Sequence, residues 1–182
     1  MSVTLENQVK ILEEQLKQLQ NTQPKDQLSI IVFSGDLDKV LASMIIATGA
    51  CAMDMEVKMF FTFWGTTMLR DKKKKVNGKD FMSKMFGTML PKGSTKLKLS
   101  KLNMGGMGTQ MLKGLMQKKN VSSLEELIQT AGELGVEINI CQMSMDLMGF
   151  KKEEMIDYPK LNYCGVGTYL SDADESRVQL FI

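Results

Sequence analysis

The pattern of hydrophobic and polar positions changes near residue 24 of this chain. Before that point, aliphatic residues recur at alternating spacings of four and three with Glu, Gln and Lys between them: Leu5, Val9, Leu12, Leu16 and Leu19. This heptad pattern predicts an amphipathic helix. At little more than two heptads such a helix is marginal alone, so it either pairs with a second copy or packs back on its own domain. Residues 21–26 are predicted to end the helix and form a linker.

The rest of the chain alternates between apolar runs typical of strands and segments typical of helices. Strands are predicted at residues 28–33, 57–64 and 136–140, and helices at residues 37–52 and between Ser123 and Gly135. A turn with a short helix follows at 149–155, and apolar runs at 163–170 and 178–182 flank a predicted acidic turn at 171–175. This alternation predicts an α/β fold with a mostly parallel sheet covered by helices on both faces.

One segment, at about residues 70–121, does not fit this alternation. Fourteen Lys or Arg but only two Asp or Glu lie between Arg70 and Leu124, although the whole chain has a net charge of only +2. The segment also contains a lysine run at 72–75, a glycine cluster at 105–108 and many methionines. We interpret it as a basic insertion with an adaptable apolar face. The predicted division is a helix and linker at 1–24 and an α/β domain at 25–182.

Composition limits the chemistry that the protein can perform. The chain has 182 residues and no histidine, which excludes a Ser/His/Asp triad, a Cys/His pair and most zinc sites. Its three cysteines form no CxxC pair, so free thiols are expected rather than a disulfide framework or a metal site. No cofactor and no metal are predicted. The N-terminus lacks the pattern of a signal peptide, which predicts an intracellular, cytoplasmic protein.

Four motifs in the same order resemble the DsrE/DsrF-like family, in the branch with a basic, Met-rich insertion. They are GDLDK at 35–39, FFTFWG at 60–65, KLKLSKLNMGGMG at 96–108 and CQMSMDLMG at 141–149. The resemblance covers about residues 28–182. It implies a flavodoxin-like three-layer sandwich that assembles into homo-oligomers and handles sulfane sulfur as a cysteine persulfide. On the family pattern Cys141 carries the sulfur, whereas no role passes to Cys51 or Cys164.

The position of Cys141 in the sequence agrees with this role. It follows an alternating strand and precedes a segment that could start a helix, and that arrangement favours a nucleophilic thiolate at the carboxyl end of a sheet. The alternative is a buried cysteine that acts as a small hydrophobic side chain. Cys164 could resolve an oxidised or persulfidated Cys141 if the fold brings them together, and Cys51 is expected in the core.

Five further residues are candidates for substrate binding. Gly35 and Asp36 follow the first strand and could line the same crevice as Cys141, although Asp36 could simply cap the next helix. Gly105 and Gly106 could present backbone amides to an anion, or merely let the insertion turn. Ser144 belongs to the same motif as Cys141.

The sequence also limits the partners. The lysine run at 72–75 is interpreted as a solvated turn or as a patch that steers anions, and its lack of aromatic residues argues against nucleic acid. Residues 81–90 could touch a membrane surface, but packing on a neighbouring subunit explains the pattern equally well. Sulfur-donor and sulfur-acceptor proteins, or small sulfane-sulfur anions, are the expected partners.

Three functions follow from these observations. The leading hypothesis is a sulfur carrier or sulfurtransferase that uses Cys141. The alternatives are a thiol peroxidase or redox sensor that uses the same cysteine, and a non-catalytic oligomeric binding module.

Overall fold

A computed structural model of the chain describes residues 5–74, 76 and 81–182. The helices are α1 (Leu5–Thr22), α2 (Leu37–Cys51), α3 (Phe81–Met89), α4 (Met107–Lys118), α5 (Leu124–Glu133), α6 (Gln142–Met148) and α7 (Val166–Glu175). The strands are β1 (Lys25–Val32), β2 (Glu56–Phe61), β3 (Glu137–Cys141), β4 (Leu161–Cys164) and β5 (Ser176–Phe181). No helix within these ranges is both long and apolar enough to cross a membrane.

The five strands form one parallel sheet in the order β4-β3-β2-β1-β5. From β1 to β4 each connection moves one strand in the same direction, and the connection through α7 then returns to the far side of β1. Because crossovers between parallel strands are right-handed, this reversal places α2 and α5 on one face of the sheet and α7 on the other. The predicted flavodoxin-like three-layer α/β sandwich is confirmed.

The main core lies between α2, α5 and one face of the sheet. Leu28, Ile30 and Val32 of β1 are almost completely buried in it. The residues between them in β1 point to the opposite face, as the two-residue period of a strand requires. In α2 the aliphatic residues that the sequence assigned to a buried helix, including Val40 and Met44, pack on this same side. This core fixes the sheet whose carboxyl edge holds the candidate site.

Helix α7 covers the opposite face of the sheet, which is polar near the amino ends of the strands. There Lys58 pairs with Asp172 at 2.7 Å. Nearer the carboxyl ends the face becomes apolar, and the ring of Tyr169 lies 5.6 Å from the ring of Phe60. In the described part of the chain three buried apolar side chains lie outside the main core, and we call them the α7 core: Phe60, Cys141 and Ala173.

The N-terminal heptad pattern forms α1 as predicted, and its apolar positions face solvent. Val9, Leu12 and Leu16 are 46%, 63% and 58% exposed. Of the two arrangements that the sequence left open, packing back on the domain is therefore not seen for these three side chains. Together these side chains form the heptad seam, which is the exposed apolar surface against which a second helix could pack.

The basic insertion is tied to the domain at its start and near its middle. The guanidinium of Arg70 is 3.2 Å from the carboxylate of Glu154, in the connection that leads to β4. Further along, the backbone amide and the hydroxyl of Ser100 both donate to the carboxylate of Asp38 in the first turn of α2. Burial raises the pKa of Asp38, but the two hydrogen bonds from Ser100, together with a local backbone hydrogen bond and the charge of Lys39, lower it overall. Part of the insertion therefore lies against the amino end of α2.

Three boundaries differ from those predicted. β2 ends at Phe61 and not at residue 64, because a 3₁₀ turn at Phe63–Leu69 folds the chain over the end of β1. Residues 171–175, predicted as a turn, are the second half of α7, since Gly165 starts that helix in the middle of the apolar run. Lys25 and Asp26 belong to β1 and not to a linker. Lys75 of the lysine run lies outside the described residues.

Candidate functional site

The carboxyl ends of β1 to β4 meet at one edge of the sheet, and the register there brings two cysteines side by side. Phe61 of β2 is level with Ile140 of β3, and the next residue of β3, Cys141, is level with Cys164 of β4. Ile140 belongs to the main core, so Cys141 points to the α7 face. Residues that are level in neighbouring parallel strands share a face, which places both thiols on the α7 side.

Cys141 is both the last residue of β3 and the residue that caps α6. Its side chain is only 3% exposed, and it contributes to the α7 core. The chain thus passes from strand to helix without a loop, as the sequence predicted for this position. A reagent reaches this thiol only if it is small or if the surrounding residues move.

Cys164 lies next to Cys141 and is less buried. The α-carbons of level residues in neighbouring strands are about 5 Å apart. Burial raises the pKa of the Cys164 thiol, while a hydrogen bond from the Thr168 hydroxyl opposes the change. Thr168 stands in the first turn of α7, and a Cβ added at Gly165 or Gly167 would meet no atom within 4 Å. The surface beside Cys164 at the start of α7 is therefore open.

Ser144, predicted as a substrate-binding residue, is fully buried between α6 and the end of β2. Its hydroxyl is 2.9 Å from the hydroxyl of Thr62 and accepts a hydrogen bond from the backbone amide of Phe63 at 3.0 Å. These contacts hold the first turn of α6, and with it Cys141, against the end of β2. Ser144 therefore positions the first turn of α6, and its proposed contact with substrate stays a prediction.

Gly35 and Asp36 lie at the same edge of the sheet but not beside Cys141. β2 separates β1 from β3, so the two strand ends are about 10 Å apart. A Cβ at Gly35 would lie 2.7 Å from the carbonyl oxygen of Trp64, so glycine allows the 3₁₀ turn after β2 to approach. Asp36 precedes α2 without a side-chain cap, accepts a hydrogen bond from Ser34 and pairs with Lys39 at 3.0 Å.

Gly105 and Gly106 form the turn that starts α4. Both have positive φ angles, 68° and 106°, which glycine adopts without strain. A Cβ at either residue would meet no atom within 4 Å, so the turn stands open. The backbone of this turn hydrogen-bonds within the insertion, to Asn103. These glycines do not belong to the strands whose register places Cys141 beside Cys164.

Within the lysine run, Lys74 makes polar contacts with the segment that precedes β4. The ammonium of Lys74 donates to the carbonyl of Met155 at 2.9 Å and contacts the carboxylate of Asp157 at 2.6 Å. A cavity of about 510 Å³ lies close to this segment, with Met68, Ile156 and Tyr158 in its wall. Burial raises the pKa of Tyr158 strongly. The thiol pair does not line this cavity, and within the described residues no cluster of three His, Cys, Asp or Glu side chains is suited to hold a metal ion.

Sequence reasoning missed Thr62 and Thr168, and it left open whether the fold brings Cys164 to Cys141. Residues 163–170 look like one continuous apolar run, which hides both the end of β4 and the hydroxyl in the first turn of α7. Gly165, next to Cys164, was the available signal for a helix start, because glycine is accepted at that position.

Known proteins that are similar to this chain cover nearly all of it. The DsrE/DsrF/DrsH-like family matches residues 24–181. The chain is 47% identical over 161 residues to the uncharacterized protein YrkE of Bacillus subtilis (strain 168), covering 88% of this chain and 99% of YrkE. It is 37% identical over 159 residues to the sulfur carrier protein DsrE2 of Allochromatium vinosum, covering 85% and 97%. The crystal structure of the YchN protein of E. coli has a TM-score of 0.49 at 9% identity, covering 86% of this chain and 99% of that one.

The family match includes the whole basic insertion as well as the sheet and both cysteines at its edge. Both relatives are also covered almost from end to end, so the similarity extends over the full α/β domain. The resemblance found in the four motifs is confirmed, and the chain belongs to the DsrE/DsrF/DrsH-like family.

Proposed function

We propose that this protein is a cytoplasmic sulfur carrier or sulfurtransferase that holds sulfane sulfur as a persulfide on Cys141. The observation that carries the proposal is the position of Cys141 at the carboxyl end of β3, where it also starts α6. Parallel α/β sheets bind their ligands at this edge. Family membership and the relative that is named a sulfur carrier support the same role.

The proposed transfer uses the thiolate of Cys141 twice. In loading, the thiolate sulfur attacks the outer sulfur of a donor such as thiosulfate, a sulfur–sulfur bond forms, and sulfite leaves with the electron pair of the broken bond. In unloading, the thiolate of an acceptor attacks that outer sulfur and Cys141 leaves as a thiolate. Both steps follow the rules of thiol–disulfide exchange. Because Cys141 is 3% exposed, small sulfane-sulfur anions suit the loading step better than a bulky donor.

Cys51 lies away from the site of this chemistry. Cys51 is the last residue of α2 and packs against the main core, on the side of the sheet opposite the α7 core. Burial raises the pKa of its thiol, as it does for Cys164, so the location of Cys51 and not its pKa separates it from the site. Cys51 therefore supplies a matched control for Cys141.

Replacing Cys141 by serine should abolish sulfur loading, whereas Cys51→Ser should leave it unchanged. The reduced proteins are treated with thiosulfate or polysulfide, and their intact masses are measured before and after dithiothreitol. We expect the Cys51→Ser protein to gain one sulfur atom that dithiothreitol removes, and the Cys141→Ser protein to gain none. A gain that resists the reductant would indicate sulfinic acid and favour the redox-sensor alternative. Equal loading of both variants would exclude Cys141 as the carrier.

We also propose that the protein is a homo-oligomer whose assembly involves α1. The support is the exposed heptad seam formed by Val9, Leu12 and Leu16. Removing residues 1–23 should lower the mass of the assembly measured by light scattering after size exclusion, because paired heptad seams bury apolar surface. The double variant Leu12→Ser and Leu16→Ser should act in the same way, and Lys10→Ser with Glu14→Ser, off the seam, should not. An unchanged mass after truncation would remove α1 from the assembly.

A further inference from the structure

The proposed function leaves Cys164 without a role, although the fold places it directly beside Cys141. The two residues end neighbouring strands, are level with each other in the parallel register and face the same side of the sheet. Sequence spacing does not reveal this, because 22 residues and a connection through α6 separate the two cysteines.

The geometry permits a bond between the two sulfur atoms. Level residues of neighbouring strands have α-carbons about 5 Å apart. Disulfides usually join residues whose α-carbons are about 4.4–6.8 Å apart. Cys51 is excluded from such a bond because it packs on the main core, beyond the sheet. Of the three cysteines, only Cys141 and Cys164 can therefore pair without rearrangement of the sheet.

The surroundings of Cys164 suit a thiol that reacts with its neighbour. Its side chain is half-buried, so it is more accessible than that of Cys141. The Thr168 hydroxyl donates a hydrogen bond that stabilises its thiolate. The amino end of α7, which begins two residues later at Val166, also favours a negative charge there. These two features of α7 favour the thiolate of Cys164 and oppose the rise of its pKa that burial causes, although the pKa stays above its usual value.

Burial gives Cys164 an advantage over an external acceptor. Cys141 is 3% exposed, so a thiol on another protein reaches a persulfide there only if the residues that cover Cys141 move. Cys164 is already level with Cys141, and an intramolecular reaction between positioned groups has a high effective concentration. Cys164 is therefore the thiol best placed to attack a persulfide on Cys141.

We propose that Cys164 is a resolving thiol that converts a persulfide on Cys141 into sulfide and a Cys141–Cys164 disulfide. This step rests on the proposed function. The thiolate of Cys164 attacks Sγ of Cys141, a bond forms between the two cysteine sulfurs, and the bond from Sγ of Cys141 to the terminal sulfur breaks. The terminal sulfur takes the electron pair and leaves as hydrosulfide. The terminal sulfur is reduced and the cysteine pair is oxidised, so no other oxidant is needed, and a dithiol reductant restores the two thiols.

The test compares the reduced wild-type protein with Cys164→Ser after brief exposure to sodium polysulfide. In the wild type we expect a loss of two hydrogen masses, a cross-linked peptide joining Cys141 to Cys164, and one sulfide released per chain in excess of the Cys164→Ser protein. The Cys164→Ser protein should instead keep one extra sulfur atom on Cys141 that dithiothreitol removes. Cys51→Ser should behave as the wild type.

The failure of this inference differs from the failure of the proposed function. A wild-type protein that keeps its persulfide as long as Cys164→Ser does would overturn the resolving role and leave Cys141 as the carrier. If Cys164→Ser gains no sulfur and the wild type forms no disulfide, both proposals fail. Oxidation with diamide checks the geometry without any sulfur donor. It should form the Cys141–Cys164 bond in the wild type and in Cys51→Ser, and a product that pairs Cys51 would overturn the inference.

Discussion

Replacing Arg70 by leucine should lower the free energy of unfolding by about 3–5 kcal/mol, which is the usual cost of removing one partner of a buried ion pair. The side chains of Arg70 and Glu154 are only 2% and 3% exposed, with the guanidinium 3.2 Å from the carboxylate. The substitution leaves the Glu154 carboxylate buried without its guanidinium partner. Urea unfolding of the wild type and the variant measures the difference.

An exposed ion pair in the same molecule supplies the matched control. Arg177 and Asp26 lie 3.3 Å apart, but their side chains are 67% and 59% exposed. Arg177→Leu should therefore change the unfolding free energy by about 0–1 kcal/mol, the usual contribution of a surface pair. The double variant Arg70→Leu with Glu154→Leu should recover part of the loss, since it removes both charges of this pair. Equal effects of Arg70→Leu and Arg177→Leu would contradict the importance of burial.

Arg70 also explains how a strongly basic insertion remains attached to the domain. Besides Glu154, its guanidinium donates to the carbonyls of Gly87 and Pro91 within the insertion, and it lies 4.3 Å from the ring of Phe150. From the sequence, Arg70 is one of fourteen basic residues of the insertion, and nothing sets it apart from the others. The structure shows that the first of them is a buried anchor. The basic residues of the insertion therefore do not all have the same role.

The fold could be predicted wherever a single local pattern decides the structure. β1 and α2 follow from a continuous apolar run and from small aliphatic residues, and both occur near the predicted residues. The start of α7 was missed because residues 163–170 form a short and mostly apolar run, which does not distinguish strand from helix. The end of β2 was missed because the 3₁₀ turn depends on contacts with β1, which are distant in sequence.

The residues of the candidate site also divide into those that a local pattern predicts and those that depend on the assembled sheet. Cys141 was predicted because its strand and its helix start are both local features of one motif. Its pairing with Cys164 depends on the register of β3 against β4, which is set by side-chain packing across the whole sheet. Gly35 and Asp36 were chosen for their position after the first strand, Gly105 and Gly106 for the backbone amides that glycines can present, and the distance of all four from Cys141 was unknown. Residue type suggests a function, but only the sheet order and register decide which residues act together.

Gly65→Ala should destabilise the protein and loosen the support of Cys141. A Cβ at Gly65 would lie 2.2 Å from the carbonyl oxygen of Val32, so the 3₁₀ turn after β2 would have to move away from β1. Overpacking of this kind usually costs about 1–3 kcal/mol, and a clash with backbone belongs at the upper end of that range. The turn begins at Phe63, whose backbone amide holds Ser144, so the start of α6 should shift as well.

Two measurements test this effect, with Gly49→Ala as the control. Urea unfolding should show the loss of stability, and iodoacetamide should alkylate Cys141 faster in Gly65→Ala than in the wild type, because a displaced α6 uncovers the thiol. Gly49 lies in α2, where a Cβ would meet no atom within 4 Å, so its alanine variant should gain about 0.5–1 kcal/mol from helix propensity. If Gly65→Ala is destabilised while Cys141 reacts at the wild-type rate, the turn after β2 supports the sheet but does not position the thiol. Faster alkylation would instead mean that β1, the 3₁₀ turn and Ser144 form one chain of contacts that keeps Cys141 buried.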